Sequence, residues 1–323
     1  MLSKTHELNF TQNLQTVAFY NIENLFDIYD DEHTNDDDFL PNSAKRWTQK
    51  RYDRKLYKLG SVISQIGLNE TQQPPSIVGL AEVENAAVLQ DLISSSELAE
   101  HRYNFVHYDS TDERGIDVAL LYREEMFKVQ STETFSVHLV DDNGEPDYTR
   151  DILLVTGFLN NDLIHVIVNH WSSRRDGDEA TAYKRIAASN RVLEIINQLE
   201  RLYDNPKIVV MGDFNDNPTD RSIVHLLANA QLFHPLISKW TPERGTQNHD
   251  FKWNLFDQIM CSNNLLNGSD QGYRFKGAEI FDEKFLTQYH GKYKGQPYRT
   301  YVGKKYKGGF SDHFPVYMLL EKD

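Results

Sequence analysis

The chain has 323 residues, 39% of them hydrophobic, with 48 acidic against 34 basic residues and a formal net charge of -14. That length suits one large domain or two ordinary ones, and the acidic balance excludes a general polyanion binder that works through its overall field. A single cysteine excludes an internal disulfide framework.

Residues 1–15 are polar and carry no apolar signal segment, so they read as an N-terminal extension. The lone cysteine points to a reducing compartment, and a cytoplasmic chain is expected; a trimmed secreted form has the same appearance. No apolar run approaches the roughly 18 residues of a membrane span. Residues 16–20 read as a strand that runs out at Asn21. The loop after it holds Asp27, Asp30, Asp31, Glu32, Asp36, Asp37 and Asp38, and reads as a solvated acidic face in preference to a second cation site. Tyr52, Leu56, Leu59, Ile63 and Ile66 recur at helical spacing, predicting a helix over about 48–66 with a polar connection after it. Residues 77–81 form a second buried strand with Glu82 at its end, and 85–99 read as helix. Strands are expected at 105–108 and 117–122. The runs 152–158 and 163–168 flank Asn160-Asn161-Asp162 as a β-hairpin, and the second ends in Asn169-His170. A helix over 180–202 puts Val192, Ile195, Ile196, Leu199 and Leu202 on one face.

The apolar run 208–211 stops at Gly212 and delivers Asp213, with Asn215 two residues on. Thr219 is the expected cap of the next helix, which carries Ile223, Leu226, Leu227 and Ala230. Residues 255–261 form another strand with Asp257 among apolar neighbours, and 314–320 the last, just after Ser311-Asp312-His313. Strands and helices mix along the whole length without a linker or repeat, which favours one α/β domain.

Asn21, Glu82, His170 and Asp213 each sit where an apolar strand runs out, and Asp312-His313 where the last begins. Taken singly, each has an ordinary structural reading: solvated acid, turn cap or structural histidine. Taken together they can converge on one rim, where ligand crevices of α/β sheets form. Carboxylates and amides without cysteine suit a hard cation such as Mg²⁺ or Mn²⁺. Asp257, costly to bury unpaired, needs a partner such as a histidine.

The ordered series Phe19-Tyr20-Asn21, Ala81-Glu82-Val83, Asn169-His170, Gly212-Asp213-Phe214-Asn215, Phe256-Asp257-Gln258-Ile259 and Ser311-Asp312-His313 resembles the endonuclease/exonuclease/phosphatase superfamily, across nearly the whole chain. The phrases beginning at Asn21 and Arg114, with Asn169-His170-Trp171, look most like its bacterial branch of predicted nucleases. The resemblance implies a DNase I-like, four-layer α/β/β/α sandwich of two mixed sheets with helices outside, and metal-dependent hydrolysis of a phosphate ester. It implies Glu82 as chief metal ligand with Asn21 and Asp312 nearby, Asp213 and Asn215 around the attacking water, His313 oriented by Asp257, His170 on the charged transition state, and Arg150 as a phosphate contact. Glu84 departs from nuclease relatives that carry a basic group there. Against the overall charge, residues 273–307 hold nine basic and three acidic residues (9 − 3 = +6) interleaved with aromatics, a pattern that suits a nucleic-acid strand or an edge hairpin with solvated lysines. A nuclease or phosphodiesterase is expected, acting by default as a monomer. The alternatives are a phosphatase or phosphodiesterase for a small or lipid-derived phosphate ester, and a non-catalytic binding module.

Overall fold

A computed structural model of the chain describes residues 13–140, 143–266 and 272–322; residues 1–12 of the polar N-terminal stretch lie outside them. Twelve strands build two six-stranded mixed sheets. In chain order they are β1 (Leu14–Leu25), β2 (Ile77–Val83), β3 (Tyr103–His107), β4 (Asp117–Arg123), β5 (Phe127–Phe135), β6 (Ile152–Leu159), β7 (Asp162–His170), β8 (Ile208–Asp213), β9 (Leu232–Phe233), β10 (Asp257–Ser262), β11 (Arg274–Ile280) and β12 (Val316–Glu321). The first sheet runs β11-β12-β1-β2-β4-β3 and the second β9-β10-β8-β7-β6-β5. In each, only the central pair is parallel, β1 with β2 and β7 with β8.

Side-chain alternation explains the layers. Val209 and Met211 join the core that contains Val17 and Phe19 of the other sheet, whereas Ile208 and Val210 face the opposite way, against the helix Asp178–Leu202 (α3) and the helix Arg221–Ala230 (α4). Gly79 marks how closely the sheets meet: a Cβ there would lie 2.5 Å from Met211 Sδ. On the far side, the helices Gln49–Ile63 (α1) and Ala86–Ile93 (α2) bury Leu59, Ile63, Val88 and Leu92. The expected four-layer α/β/β/α sandwich is therefore present.

Several boundaries differ from the sequence reading. β1 continues past Tyr20 to Leu25 because Ile22 and Leu25 are buried. Its register with β2 shifts between Asn21 and Leu25, where Glu23 and Asn24 take φ of 51° and 52°. The helix expected to reach residue 99 stops at Ile93, and the Ser94 and Ser95 amides close its end by donating to Gln90 O and Leu92 O. Thr219 is not the cap of α4; Asp220 holds that position, with its carboxylate turned to Asn217 N at 2.6 Å and to Arg174. Leu202, expected on the buried face of α3, is exposed at the helix end.

One buried histidine gives the fold a pH dependence. Gln258 Nε2 donates to the carbonyls of Asp216 (2.6 Å) and Leu255 (2.9 Å), so its Oε1 accepts from His234 Nε2 at 2.7 Å. His234 Nδ1 is buried without a partner, and burial pushes the imidazole down to about 4 from 6.5. The folded pKa is thus below the unfolded one. The stabilisation is complete above pH 6.5 and is lost as pH falls toward 4, by about 3 kcal/mol at the acid limit. We expect urea midpoints of the wild-type chain to fall more steeply between pH 7 and pH 4.5 than those of His234→Gln; parallel profiles would refute the assignment.

Candidate active site

Strand register brings the chemistry together. Asp213 ends β8 directly beside His170 of the parallel neighbour β7 and opposite Asp257 of the antiparallel neighbour β10. In the other sheet, Asn21 pairs with Ala81, so Glu82 follows one residue on. Val316 pairs with Phe19, and Ser311 Oγ then reaches the Asn21 carbonyl at 2.7 Å. Both sheets therefore contribute to one rim.

Asp213 is the hub. Asn21 Nδ2 donates to its Oδ2 at 3.0 Å, across the two sheets. His170 Nε2 and His313 Nδ1 each lie 3.9 Å from that same oxygen. Its Oδ1 accepts from Asn215 N at 2.9 Å. Asn215, at φ 50°, is held by its own Nδ2 donating to Trp171 O at 3.0 Å. A non-glycine residue in the left-handed region at such a place is a strained position kept by its surroundings. His313 Nδ1 donates to the fully buried Asp257 Oδ2 at 2.7 Å, which supplies the partner the acid requires.

The titration behaviour follows from these contacts. Burial raises the Asp213 carboxyl against the opposing pull of His313. Burial disfavours the charged His313 ring, but the carboxylates of Asp257 and Asp213 outweigh it and raise its pKa well above the ordinary value. His170 moves the other way. Burial, with the Arg150 guanidinium alongside, lowers its pKa. Arg150 Nε is 3.3 Å from His170 Nδ1, and its Nη2 is 3.2 Å from Nε2. One imidazole is therefore held charged and the other neutral.

Glu82 and Asp312 lie on the same rim with other partners. Glu82 has φ 67°, and its Oε2 accepts from Asn24 N at 2.8 Å while Oε1 lies 4.0 Å from Arg114 Nη1. Asp312 pairs with Arg299. Carboxylate and amide oxygens suit Mg²⁺ or Mn²⁺, and Mg²⁺ needs only one or two protein carboxylates, so the donor set fits such an ion. Asp213, Asp257 and His313 also lie close enough together to be a metal-binding group. There, however, the His313 Nδ1–Asp257 hydrogen bond already occupies the facing donor atoms, which favours the pair as an oriented imidazole.

Several charged residues around the site escaped the sequence reading. Arg114 Nη2 donates to Asn24 Oδ1 at 2.6 Å, and Asp112 Oδ2 pairs with Arg150 at 3.2 Å. Glu23 accepts from Thr300 N (2.5 Å) and Tyr301 N (3.3 Å), with Arg299 Nε 3.8 Å away. Lys55 Nζ donates to Thr300 Oγ1 at 2.7 Å and Phe310 O at 2.6 Å. The signal in the sequence was limited to Glu23, two residues into the family-like phrase that begins at Asn21, and to Arg114, which opens the other phrase. Glu84 turns away to accept from Asp27 N at 2.6 Å, and burial pushes it up to about 8.

The basic stretch 273–307 divides. Tyr273, Phe281 and Tyr301 are core residues, and Lys276 pairs with Glu321 at 2.9 Å. Tyr289 and Tyr293 are exposed, and Tyr293 stacks on Phe251 with Lys292 Nζ 4.8 Å from its ring. Part of the stretch is thus edge structure and part an exposed aromatic and basic surface.

Known proteins agree with this architecture. A solved endonuclease/exonuclease/phosphatase family protein from Bacteroides thetaiotaomicron superposes with a TM-score of 0.60 at 18% identity, covering 96% of this chain and 98% of that one. A mannosyl-6-phosphatase from the same organism gives 0.59 at 19%, covering 95% and 99%. D. rerio TDP2 complexed with a single-strand DNA product gives 0.57 at 12%, covering 96% and 99%. At these identities the likeness establishes the fold. No curated protein sequence matches the chain. The sequence profile described as the Endonuclease/Exonuclease/phosphatase family matches residues 16–322. The chain therefore belongs to the endonuclease/exonuclease/phosphatase family of phosphate-ester hydrolases.

Proposed function

We propose that residues 16–322 act as one catalytic unit that hydrolyses phosphodiesters by water attack, assisted by Mg²⁺ or Mn²⁺, with nucleic acid the leading substrate class. The observation that carries this reading is the Asp213 carboxylate, bonded to Asn21 of the opposite sheet, with His170 and His313 each 3.9 Å from one of its oxygens. In this reading Glu82 holds the ion, with Asn21 and Asp312 beside it; the bound ion supplies charge neutralisation at the phosphoryl oxygens.

The remaining chemistry belongs to the chain. Asp213, raised by burial, aligns the attacking water and accepts its proton. Asn215 holds the same water. Asp257 fixes the His313 ring through Nδ1, which leaves Nε2–H to donate to the scissile phosphate. Neutral His170, backed by Arg150, donates to the oxygen on which charge accumulates. Arg150 is the phosphate contact nearest that histidine.

A second reading is a small or lipid-derived phosphate ester. It draws on the acidic cleft beside Glu82, lined by Asp27, Asp30, Asp31, Glu84, Asp109 and Asp117, which disfavours a long polyanion on that side. Among the described residues, no helix is long and apolar enough to cross a membrane.

The test is a rate panel with Mg²⁺, Mn²⁺ or chelator on single-stranded DNA, duplex DNA, RNA, an aryl phosphodiester and an aryl phosphomonoester. We expect diester cleavage with either cation and none with chelator, and binding of nucleic acid that weakens steeply with salt. Cleavage of the monoester alone favours the second reading, and undiminished rates in chelator reject both.

A further inference from the structure

Away from the Asp213 network, a second group of side chains closes the base of the loop that carries Asp112 and Arg114. His107 ends β3, Asp117 begins β4, and Asp109 lies between them. His107 pairs in register with Ala119, so Asp117, two residues along, emerges on the same face of the sheet. His107 Nε2 lies 3.7 Å from Asp117 Oδ2, and Nδ1 lies 3.8 Å from Asp109 Oδ1.

Both separations are too long for hydrogen bonds. The His107 side chain is only 3% exposed, and its Nε2 is buried with no hydrogen-bond partner. A buried ring nitrogen left this way is uncommon and calls for an explanation. A spacing of 3.7 Å is close to that of two donors each about 2.1 Å from one shared ion. An imidazole gives one ion a single nitrogen, here Nε2; Asp109, 85% exposed and now on the Nδ1 side, turns to the Nε2 edge as the third donor, and one atom from each of the three residues already falls within 4.8 Å of the others.

We infer that His107, Asp117 and Asp109 bind one first-row divalent ion of the Zn²⁺ or Mn²⁺ type, separate from the ion assigned to Glu82. Two carboxylates and a neutral imidazole balance its charge. One nitrogen among the donors favours such an ion over Mg²⁺ or Ca²⁺, which take oxygen ligands. The ion pins the two ends of the loop. That loop places Arg114 beside Asn24 and Glu82, and Asp112 against Arg150, so the site orders one wall of the candidate active site from outside it.

The test uses Zn²⁺ as the probe on the full chain, with excess Mg²⁺ present. Calorimetry should give one Zn²⁺ bound per chain, and Zn²⁺ should raise Tm by roughly 5 °C. Asp109→Asn, a change at an exposed position, should weaken Zn²⁺ at least tenfold, and His107→Gln should abolish the Tm rise. Glu82→Gln should keep this Zn²⁺ even where it loses Mg²⁺-dependent hydrolysis, which separates this inference from the proposed function. If His107→Gln does not fold, Asp109→Asn decides alone. No Zn²⁺ bound beside excess Mg²⁺, or wild-type Zn²⁺ affinity in Asp109→Asn, overturns the inference.

Discussion

Asp213→Asn and His313→Gln are each expected to lower kcat for phosphodiester hydrolysis by about 10³-fold. The carboxylate of Asp213 is where both sheets and both imidazoles meet. An amide of the same shape can still accept from the Asn215 backbone, but its NH2 then faces the Asn21 Nδ2 donor, so the bond across the sheets is lost. The amide cannot take a proton from water, and one of the carboxylates that keep His313 protonated is lost. His313→Gln removes the imidazole tied to Asp257 and leaves a buried carboxylate without that partner. Some loss of stability is therefore expected there, and kcat should be compared at a temperature well below the lower Tm. Asp257→Asn tests the positioning role. It should lower kcat less than loss of His313 does, and shift the pH–rate profile because the imidazolium loses its main support. Rates within tenfold of wild type for both Asp213→Asn and His313→Gln would reject the assigned roles.

The second large effect is expected at Glu82. Mg²⁺ uses few protein carboxylates and completes its shell with water and substrate, so a single acid can carry most of its affinity. The Glu82 backbone at φ 67° and the Asn24 amide fix where that acid points. Glu82→Gln keeps an oxygen for the Asn24 amide and removes the charge. The half-saturating Mg²⁺ concentration should rise at least tenfold, and kcat at a fixed low Mg²⁺ concentration should fall by about 10²–10⁴-fold. An unchanged Mg²⁺ dependence would move the ion elsewhere, the group formed by Asp213, Asp257 and His313 being the next candidate.

How much of this was legible in the sequence depended on the local signal. Residues 208–213 were readable because a continuous apolar run ends abruptly in an acid, and the run is a central strand buried on both faces. Asp257 and His313 were readable as a pair because an acid among apolar neighbours needs a partner. β5 was not readable. It lies at a sheet edge, most of its residues are exposed, and few of them are apolar. The end of β1 was misplaced because Asn21 resembles a turn residue, whereas the strand kinks there and continues under Ile22 and Leu25.

The charged surroundings were least legible. Glu23, Lys55 and Arg299 meet over separations of up to 276 residues (299 − 23 = 276), and nothing in the spacing of lysines and acids along a chain reports which of them face one another. The same holds for Asp112 and Arg114, which read as ordinary loop residues until the fold sets them against Arg150 and Glu82. The stretch 273–307 shows the limit of composition. Its net charge was visible, but burial of Tyr273 and Tyr301 and the pairing of Arg299 with Asp312 were not.

The most direct measurement is the position of Mn²⁺ by anomalous diffraction from crystals of the wild-type chain and of Glu82→Gln. The account predicts a peak about 2 Å from a Glu82 carboxylate oxygen, on the rim shared with Asn21 and Asp213, and its loss in Glu82→Gln at the same Mn²⁺ concentration. A peak remote from Glu82, or one of equal height in the variant, would contradict it.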